Sequence, residues 1–395
     1  MIGLFYCDNN SILQVLFFKL SRKNSIFNAM DLLDDVTGVE KYLVLKATQA
    51  RTPIAASFEL TPCCNLQCDM CFIRMKPAEM KAHGGLKDMD FWLKLAQELK
   101  EMGTLFILLT GGEPLLYPHF KELYQALKQM GFIITLNTNG TCITEEIAQL
   151  FQAYRPRRVN VTLYGASRET YEKLCHRAEG FEQCMNGIKL LRQHGIDTKL
   201  NVSVVQENKH EFDEILAIGD RFDIPSEVNS YMFPCSRTGH SGVGAIDARL
   251  TAEEGGKYDA LYQKHKHGSA FNEVIAATLK EVEEATPYKE EVGITCRAGK
   301  SSAWINWQGK MTPCVLMEYP AVNLEEVSAK EAWSSLEEMI TKLPTHSDCK
   351  GCKLWKLCQV CYASVSLEKQ HNGNVSYLCR FTQCEYDILK QLINK

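Results

Sequence analysis

Seventeen cysteines constrain this 395-residue chain less by their number than by their placement, because ten of them fall into two tight groups. The first is Cys64-x3-Cys68-x2-Cys71; the second runs from Cys296 to Cys379 at short, regular spacings. Disulfide frameworks belong mainly to small secreted chains, whereas clustered cysteines in a large chain without an export signal read as metal ligation. A reducing cytoplasm is the expected compartment. The apolar run 12–18 is followed, not preceded, by Lys19, Arg22 and Lys23, the reverse of a secretory signal, and it is too short to span a bilayer. Met30 then opens a plainer acidic stretch with Asp31, Asp34 and Asp35, as expected if 1–29 is a mis-called start or a short docking appendage.

Between the two groups, short apolar runs alternate with amphipathic stretches, the pattern of repeated βα units and a parallel sheet. Strands are expected at 54–60, 104–110, 132–137, 158–163, 198–205 and 227–232, with helices at 88–102, 118–130, 144–153, 181–194 and 209–222. Gly103, Gly131 and Gly195 follow three of those helices, where a left-handed cap favours a residue without Cβ, and Thr144 and Ser167 fit N-caps. The expected class is α/β: a partial (β/α)6 TIM-like barrel over 54–240, with chemistry on the loops at the C-terminal strand ends. Residues 1–53 read as an N-terminal extension. A Gly- and Ser-rich loop over 234–244 leads into a helical linker, 241–290, with helices near 251–266 and 271–285. Residues 291–395 read as a cysteine-rich α+β domain: eight cysteines occur between 296 and 384 with few long apolar runs, so metal is needed as a staple. A net charge of −4 supplies no basic field, and neither nucleic acid nor membrane is an expected partner.

Three thiolates on one compact loop can ligate three irons of a 4Fe-4S cube and leave the fourth open to a ligand that is not protein. At the end of the second expected strand stands Thr110-Gly111-Gly112-Glu113-Pro114, where paired glycines let backbone approach a ligand closely and Glu113 offers a carboxylate to a cation. Taken alone, the same residues also make a simple turn. Asn137 and Asn139 after strand three, Thr162 in strand four, and Ser203 with Asn208 around strand five are further polar residues at strand ends, each also readable as a turn or cap. The second cysteine group reads Cys296, Cys314, Cys349-x2-Cys352-x5-Cys358-x2-Cys361 and Cys379, and its C-x2-C pairs are shared by zinc ribbons. Cys7, Cys142, Cys175 and Cys184 read as core, Cys63 as spare, and Arg155, Arg157, Arg158, His176 and Arg177 as solvated element ends.

Together, the cysteine loop after strand one and the Gly-Gly-Glu-Pro after strand two resemble the radical S-adenosylmethionine (SAM) superfamily, and the second group resembles the SPASM domain. The likeness covers about residues 54–384. It implies that Cys64, Cys68 and Cys71 hold a catalytic 4Fe-4S cluster whose open iron is chelated by SAM. It also implies that Gly111, Gly112, Glu113 and Pro114 bind SAM through its ammonium, with Asn137, Asn139, Thr162 and Ser203 toward its ribose and carboxylate. One electron would then cleave SAM to a 5'-deoxyadenosyl radical that abstracts a substrate hydrogen. Two auxiliary clusters are implied, an inner one on Cys296, Cys314 and Cys361 and an outer one on Cys349, Cys352, Cys358 and Cys379. The inner set lacks a fourth protein ligand, which Cys384, Cys235 or a substrate thiolate would supply.

The chain departs from the family pattern at four places. Met70 stands where many members have an aromatic, and Thr162-Leu163-Tyr164-Gly165 where many have Ser-Leu-Asp-Gly. Two residues, not three, separate Cys358 from Cys361. Val315 follows Cys314 where sulfatase-maturating relatives carry an aspartate base, which ranks formylglycine formation low. The expected activity is therefore maturation of a ribosomal peptide by a thioether or carbon-carbon crosslink. A small-molecule oxidoreductase of the haem-pathway kind is the alternative, and a cluster-bearing carrier or zinc-stabilised binding module a third reading. The expected partners are a peptide or protein substrate and an electron donor such as flavodoxin or ferredoxin. A separate leader-recognition protein, or a leader bound elsewhere, is expected as well, since 1–53 is short for a leader-binding domain.

Overall fold

The computed structural model describes residues 38–234, 248–289, 291–294, 296–358 and 361–394. The segment 1–29, the Gly- and Ser-rich loop from 235 to 244, and the thiols of Cys7 and Cys235 lie outside the described residues.

Six strands pair in parallel in sequence order: β1 (Ala55–Glu59), β2 (Phe106–Thr110), β3 (Ile133–Thr138), β4 (Arg158–Thr162), β5 (Thr198–Ser203) and β6 (Ser226–Asn229). Alternation along each strand decides which face meets the helices. Val159, Val161, Leu200 and Val202 are buried in the main core, whereas Asn160, Thr162, Asn201 and Ser203 occupy the opposite, half-buried positions. On the helical side, Trp92, Leu95 and Leu99 of the helix Met89–Glu101 join the core that holds Phe58, and the Trp92 and Phe58 ring centroids lie 4.9 Å apart. Asp88, Thr144 and Ser167 cap their helices by accepting from the amides of Phe91, Ile147 and Thr170. Gly103, Gly131 and Gly195 each take positive φ just past a helix.

The sheet does not end at β1. Its order is β6-β5-β4-β3-β2-β1-β7-β8-β9, where β7 (Ser302–Ile305) runs parallel to β1 and β8 (Lys310–Thr312) and β9 (Val322–Asn323) return antiparallel. Residues from the cysteine-rich region thus cover the edge that β1 would otherwise leave open. Strands this short carry almost no periodic signal, so the sequence did not reveal them. The same region also forms the helices Ala329–Thr341, Tyr362–Asn372 and Ser376–Ile393. The helices Ala252–His267 and Phe271–Glu283 pack on the last of these, sharing a core of Ala260, Phe271, Ile275, Leu279 and Leu389. At Gly256 a Cβ would stand 2.3 Å from the Phe381 carbonyl oxygen, so glycine is what lets this helix pair approach. Among the described residues no helix is long and apolar enough to cross a membrane.

Candidate functional site

Because β1 to β6 are parallel, the loops after them share one rim, and the first cysteine group is pinned there from two sides. The turn after β2 meets it through Gly112 N, which donates to Thr61 O at 2.6 Å, and Glu113 N, which donates to Cys63 O at 2.9 Å. A Cβ on Gly111 would lie 2.5 Å from Thr61 O, and one on Gly112 would lie 2.4 Å from Cys63 O. The paired glycines therefore serve the close approach of two backbones, a role that reading them as room for a ligand did not include. From the other side, Gln67 N and Asp69 N donate to Cys175 O and Leu174 O at 2.9 and 3.1 Å, using terminal carbonyls of the helix Arg168–Cys175. His176 Nε2 lies 2.6 Å from Asp69 Oδ1, and Arg177 Nη1 donates to Asn65 O at 3.3 Å. The residues read as solvated helix ends hold the cysteine loop in place.

Cys68 is buried, and Cys64 and Cys71 are half-buried. The amides of Leu66 and Arg74 donate to Cys64 Sγ and Cys71 Sγ at 3.4 and 3.3 Å. The Cys68 thiol has the Cys175 thiol and the Tyr164 hydroxyl as neighbours. Burial raises the pKa of Cys64, with the Glu113 carboxylate adding to it, and burial raises that of Cys71. For Cys68 the contact with Cys175 is the largest cause and burial the next. Crowded buried thiols ionise together only when a cation compensates them, and soft sulfur donors suit iron-sulfur chemistry, so the set fits a cluster. Among the described residues no three His, Cys, Asp or Glu side chains converge on one metal ion. Thiolates bound to different irons of a cube need not converge as the donors around a single zinc do.

Glu113 is fully buried at this rim. Its Oε1 accepts from Thr138 Oγ1 at 2.8 Å and Leu115 N at 3.1 Å, and its Oε2 accepts from Asn139 N at 2.8 Å. Burial lifts its pKa to about 7 even against these hydrogen bonds. A carboxylate offers roughly four acceptor positions, so with three used it still has capacity for a cationic ligand. Pro114 opens the short turn Pro114–Leu116 that directs Glu113 inward. Asn139 Nδ2 donates to Asn65 Oδ1 at 2.9 Å and to Cys64 Sγ at 3.5 Å, tying the end of β3 to the cysteine loop.

Asn137 Oδ1 accepts from Asn160 Nδ2 at 2.8 Å, and Thr162 and Ser203 lie on the same polar face. Buried Asn160 Oδ1 and Glu207 Oε2 have no hydrogen-bond partner, which is what a face built for a polar ligand leaves behind. Asn208 is different: its amide bonds Tyr164 O, Ser203 O and Val205 N, so it clamps the ends of β4 and β5. Sequence reasoning placed Thr138 in the polar stretch 137–140 after strand three without foreseeing that it would hold Glu113, and it missed Asn160. The signal for Asn160 was its strand register, which sets it opposite Asn137.

In the C-terminal region, Cys296, Cys314 and Cys361 stand close enough to influence one another, and burial, reinforced by Cys361 and Cys296, pushes the Cys314 thiol up to about 12. Cys349, Cys352 and Cys379 form a second set, in which burial and the neighbouring thiols push Cys349 up to about 11. Cys358 follows the turn Leu354–Lys356, its amide donating to Leu354 O at 3.0 Å. Cys384 donates to Glu253 O at 3.2 Å and has Glu253 and Asp387 as charged neighbours, which places it with the terminal helix and not with the first set. A cavity of about 280 Å³ lies beside that set, lined by Trp304, Asn306, Lys310, Thr312, Val315 and Met317 among others. Trp304 is fixed there by donating from Nε1 to the buried Glu59 Oε2 at 2.9 Å.

Comparison with known proteins agrees with this division. Residues 58–218 match the radical SAM superfamily, and residues 296–362 match the iron-sulfur cluster-binding domain SPASM. The AdoMet-dependent heme synthase of Nitratidesulfovibrio vulgaris is 24% identical over 348 residues, covering 84% of this chain and 91% of its own. The antilisterial bacteriocin subtilosin biosynthesis protein AlbA of Bacillus subtilis is 24% identical over 343 residues, covering 84% of this chain and 72% of its own. SuiB of Streptococcus suis shares the fold with a TM-score of 0.61 at 17% identity, over 83% of this chain and 78% of its own; it has also been solved with S-adenosylmethionine and with its precursor peptide SuiA. With the cysteine loop on the rim of a parallel sheet and a second thiol array beyond it, the chain belongs to the radical SAM superfamily, as an enzyme that works with S-adenosylmethionine and 4Fe-4S clusters and carries a C-terminal SPASM domain.

Proposed function

We propose that this enzyme matures a cysteine-containing ribosomal peptide by forming a thioether or carbon-carbon crosslink. The observation that carries the reading is the inner thiol set: Cys296, Cys314 and Cys361 lie together, Cys384 is engaged elsewhere, and a cavity opens beside them at Val315. Three protein thiolates leave a ligand position that a substrate thiolate would complete. Val315 offers no base there, which sets formylglycine formation aside. AlbA takes part in subtilosin biosynthesis and SuiB has been solved with a precursor peptide, and both support a peptide substrate.

In this reading Cys64, Cys68 and Cys71 hold the catalytic cluster, and Gly111, Gly112, Glu113 and Pro114 shape the SAM site. When bound there, cluster and SAM supply a 5'-deoxyadenosyl radical that takes a hydrogen from the substrate. The chain's residues bind and orient. Glu113 receives the SAM ammonium, Asn139 fixes the cysteine loop beside it, and Asn137, Asn160, Thr162 and Ser203 present polar groups to the ribose and carboxylate. Trp304, held by Glu59, forms a rigid wall against which a substrate side chain packs. Cys349, Cys352, Cys358 and Cys379 hold the outer auxiliary cluster. A flavodoxin or ferredoxin supplies electrons, a separate protein presents the leader, and the cytoplasm keeps the thiols reduced.

A second reading, an oxidoreductase acting on a small molecule of the haem pathway, is favoured by the likeness to AdoMet-dependent heme synthase over 84% of the chain. The test starts from anaerobically reconstituted protein. Iron per chain and deoxyadenosine release are measured with SAM and dithionite, in wild type and in the combined Cys64→Ala, Cys68→Ala, Cys71→Ala variant. About twelve irons, and deoxyadenosine that disappears in the variant, are expected for three cubes. Adding a Cys-containing peptide encoded beside this gene then separates the readings. Loss of two hydrogens per crosslink supports the maturase, whereas turnover of a porphyrin precursor with no change in peptide mass supports the second.

A further inference from the structure

The cavity at Val315 lies on the same face of the sheet as the polar residues at the ends of β3 and β4. Strand β7 pairs with β1 so that Trp304 stands beside Ser57 and Ile305 beside Phe58, and Ile305 and Phe58 belong to the helical core. Trp304 therefore takes the opposite face, the one that carries Glu59, Asn137 and Asn160. Thr312 of β8 pairs with Trp304, and alternation adds Asn306 and Lys310 to that face, Asn306 N donating to Lys310 O at 3.0 Å across the hairpin. At about 280 Å³ the cavity falls just short of the roughly 300–1,000 Å³ that encloses a whole small ligand, so it suits one side chain of a larger substrate.

What that side chain carries follows from which polar groups of the cavity are already engaged. Trp304, Trp307, Val315, Met317 and Ala321 give it apolar walls. Trp304 Nε1 is bound to Glu59, and Thr312 Oγ1 donates to Cys314 O at 3.2 Å. Gln308 Nε2 donates to His83 O at 3.2 Å, and Glu318 has a partner of its own. Asn306 Oδ1 accepts from the amides of Gln308 and Lys310, both at 3.0 Å, which fixes its side-chain amide and leaves Nδ2 to donate. Beside it Lys310 is exposed, and among the described residues its ammonium has no hydrogen bond or ion pair. Apolar walls that end in a cation and an amide donor complement a short aliphatic chain that ends in a carboxylate.

We propose that this cavity binds an acidic side chain, Asp or Glu, of the peptide substrate, with Lys310 and Asn306 receiving its carboxylate. The inference rests on the peptide-maturase reading and adds a sequence requirement to it. An acid anchored at the β7–β8 hairpin also sets where the peptide runs, because its neighbours then lie between Val315, next to Cys314, and the face that carries Asn137 and Asn160.

The test is calorimetric titration of the full-length, cluster-loaded protein, with SAM present, by two blocked tripeptides, acetyl-Gly-Glu-Gly-amide and acetyl-Gly-Gln-Gly-amide. Wild type should bind the Glu peptide about tenfold more tightly, the worth of one charge-assisted contact. Lys310→Gln should remove the preference and Lys310→Arg should keep it. Lys280→Gln, which takes the same charge from the helix Phe271–Glu283, should leave it unchanged. Lys310 is exposed, and iron per chain checks that its variants fold and load as wild type does. Equal affinity for the two peptides in wild type, binding of neither, or a preference that survives Lys310→Gln overturns the proposal. Propionate binding as tightly as the Glu peptide overturns it too, by giving the pocket to a small acid. The readout is binding without turnover, so an enzyme that crosslinks its peptide but ignores the acidic probe keeps its function and loses only this pocket.

Discussion

Arg249 and Glu368 form a buried ion pair that fastens the chain beyond β6 to the helix Tyr362–Asn372: Arg249 Nη1 donates to Glu368 Oε1 at 2.8 Å, and the two side chains are 6% and 0% exposed. Arg249 Nη2 also donates, to Glu368 Oε2 at 3.3 Å. Tyr231 Oη and Asn372 Nδ2 also donate to Glu368, and the guanidinium carbon lies 3.3 Å above the centre of the Tyr377 ring. A charge buried this way is costly to orphan, so Arg249→Met and Glu368→Gln should each destabilise the protein by about 3 kcal/mol or more. Replacing both by leucine should cost less than the sum of the two single changes. Thermal and denaturant unfolding of the three variants checks this.

Gly112 carries a sharper expectation about the cluster. Its missing Cβ is replaced in space by Cys63 O at 2.4 Å and Pro62 O at 2.7 Å, both rigid backbone atoms. Gly112→Ala must push the cysteine loop away from the turn after β2. The auxiliary thiols are on other elements and should load normally. Iron per chain should fall by about four, one cube's worth, with the SPASM clusters still visible by Mössbauer spectroscopy.

The barrel was legible in the sequence because six βα repeats carry strong periodicity and their caps agree with it; Thr144, Ser167 and Gly131 sit where the chain puts them to use. The thiols were legible because clustered cysteines admit few explanations. What escaped was the support. Strands β7 to β9 are two to four residues long, below the length at which alternation can be seen. His176 and Arg177 read as solvated because nothing local says that a helix C-terminus will meet a loop more than a hundred residues earlier. The positions that set the loop's geometry are long-range partners, and a single sequence carries no record of such pairs.

Tyr164 replaces an acidic residue common in related enzymes, and its hydroxyl stands near enough to Cys68 to offer the cluster sulfur a hydrogen bond. Hydrogen bonds to cluster sulfurs raise the reduction potential by stabilising the more negative, reduced state. Tyr164→Phe keeps the ring and deletes that bond. The midpoint potential of the catalytic cluster should move to more negative values, while those of the auxiliary clusters stay in place. Redox titration followed by electron paramagnetic resonance resolves the signals; an unchanged catalytic potential would show that the hydroxyl is not directed at sulfur once iron is present.

Glu113 makes the protein's pH response readable. Burial raises its pKa from 4.5 to about 7, so in the SAM-free protein the carboxyl stays protonated where the unfolded chain would already have ionised. A raised acid stabilises the fold below its unfolded value and loses that contribution as pH rises through its folded value. Stability should therefore decline between pH 4.5 and about 7, by on the order of 3 kcal/mol, and level off above. Binding of SAM works in the opposite direction, because its ammonium needs the ionised carboxylate. SAM affinity should fall about tenfold for each pH unit below 7, and at pH 6 binding should release about one proton per SAM. Glu113→Gln should flatten both profiles and weaken SAM binding at pH 8. Titration calorimetry in two buffers of different ionisation enthalpy measures the proton count directly, and a count near zero at pH 6 in wild type would assign the ammonium to another acceptor.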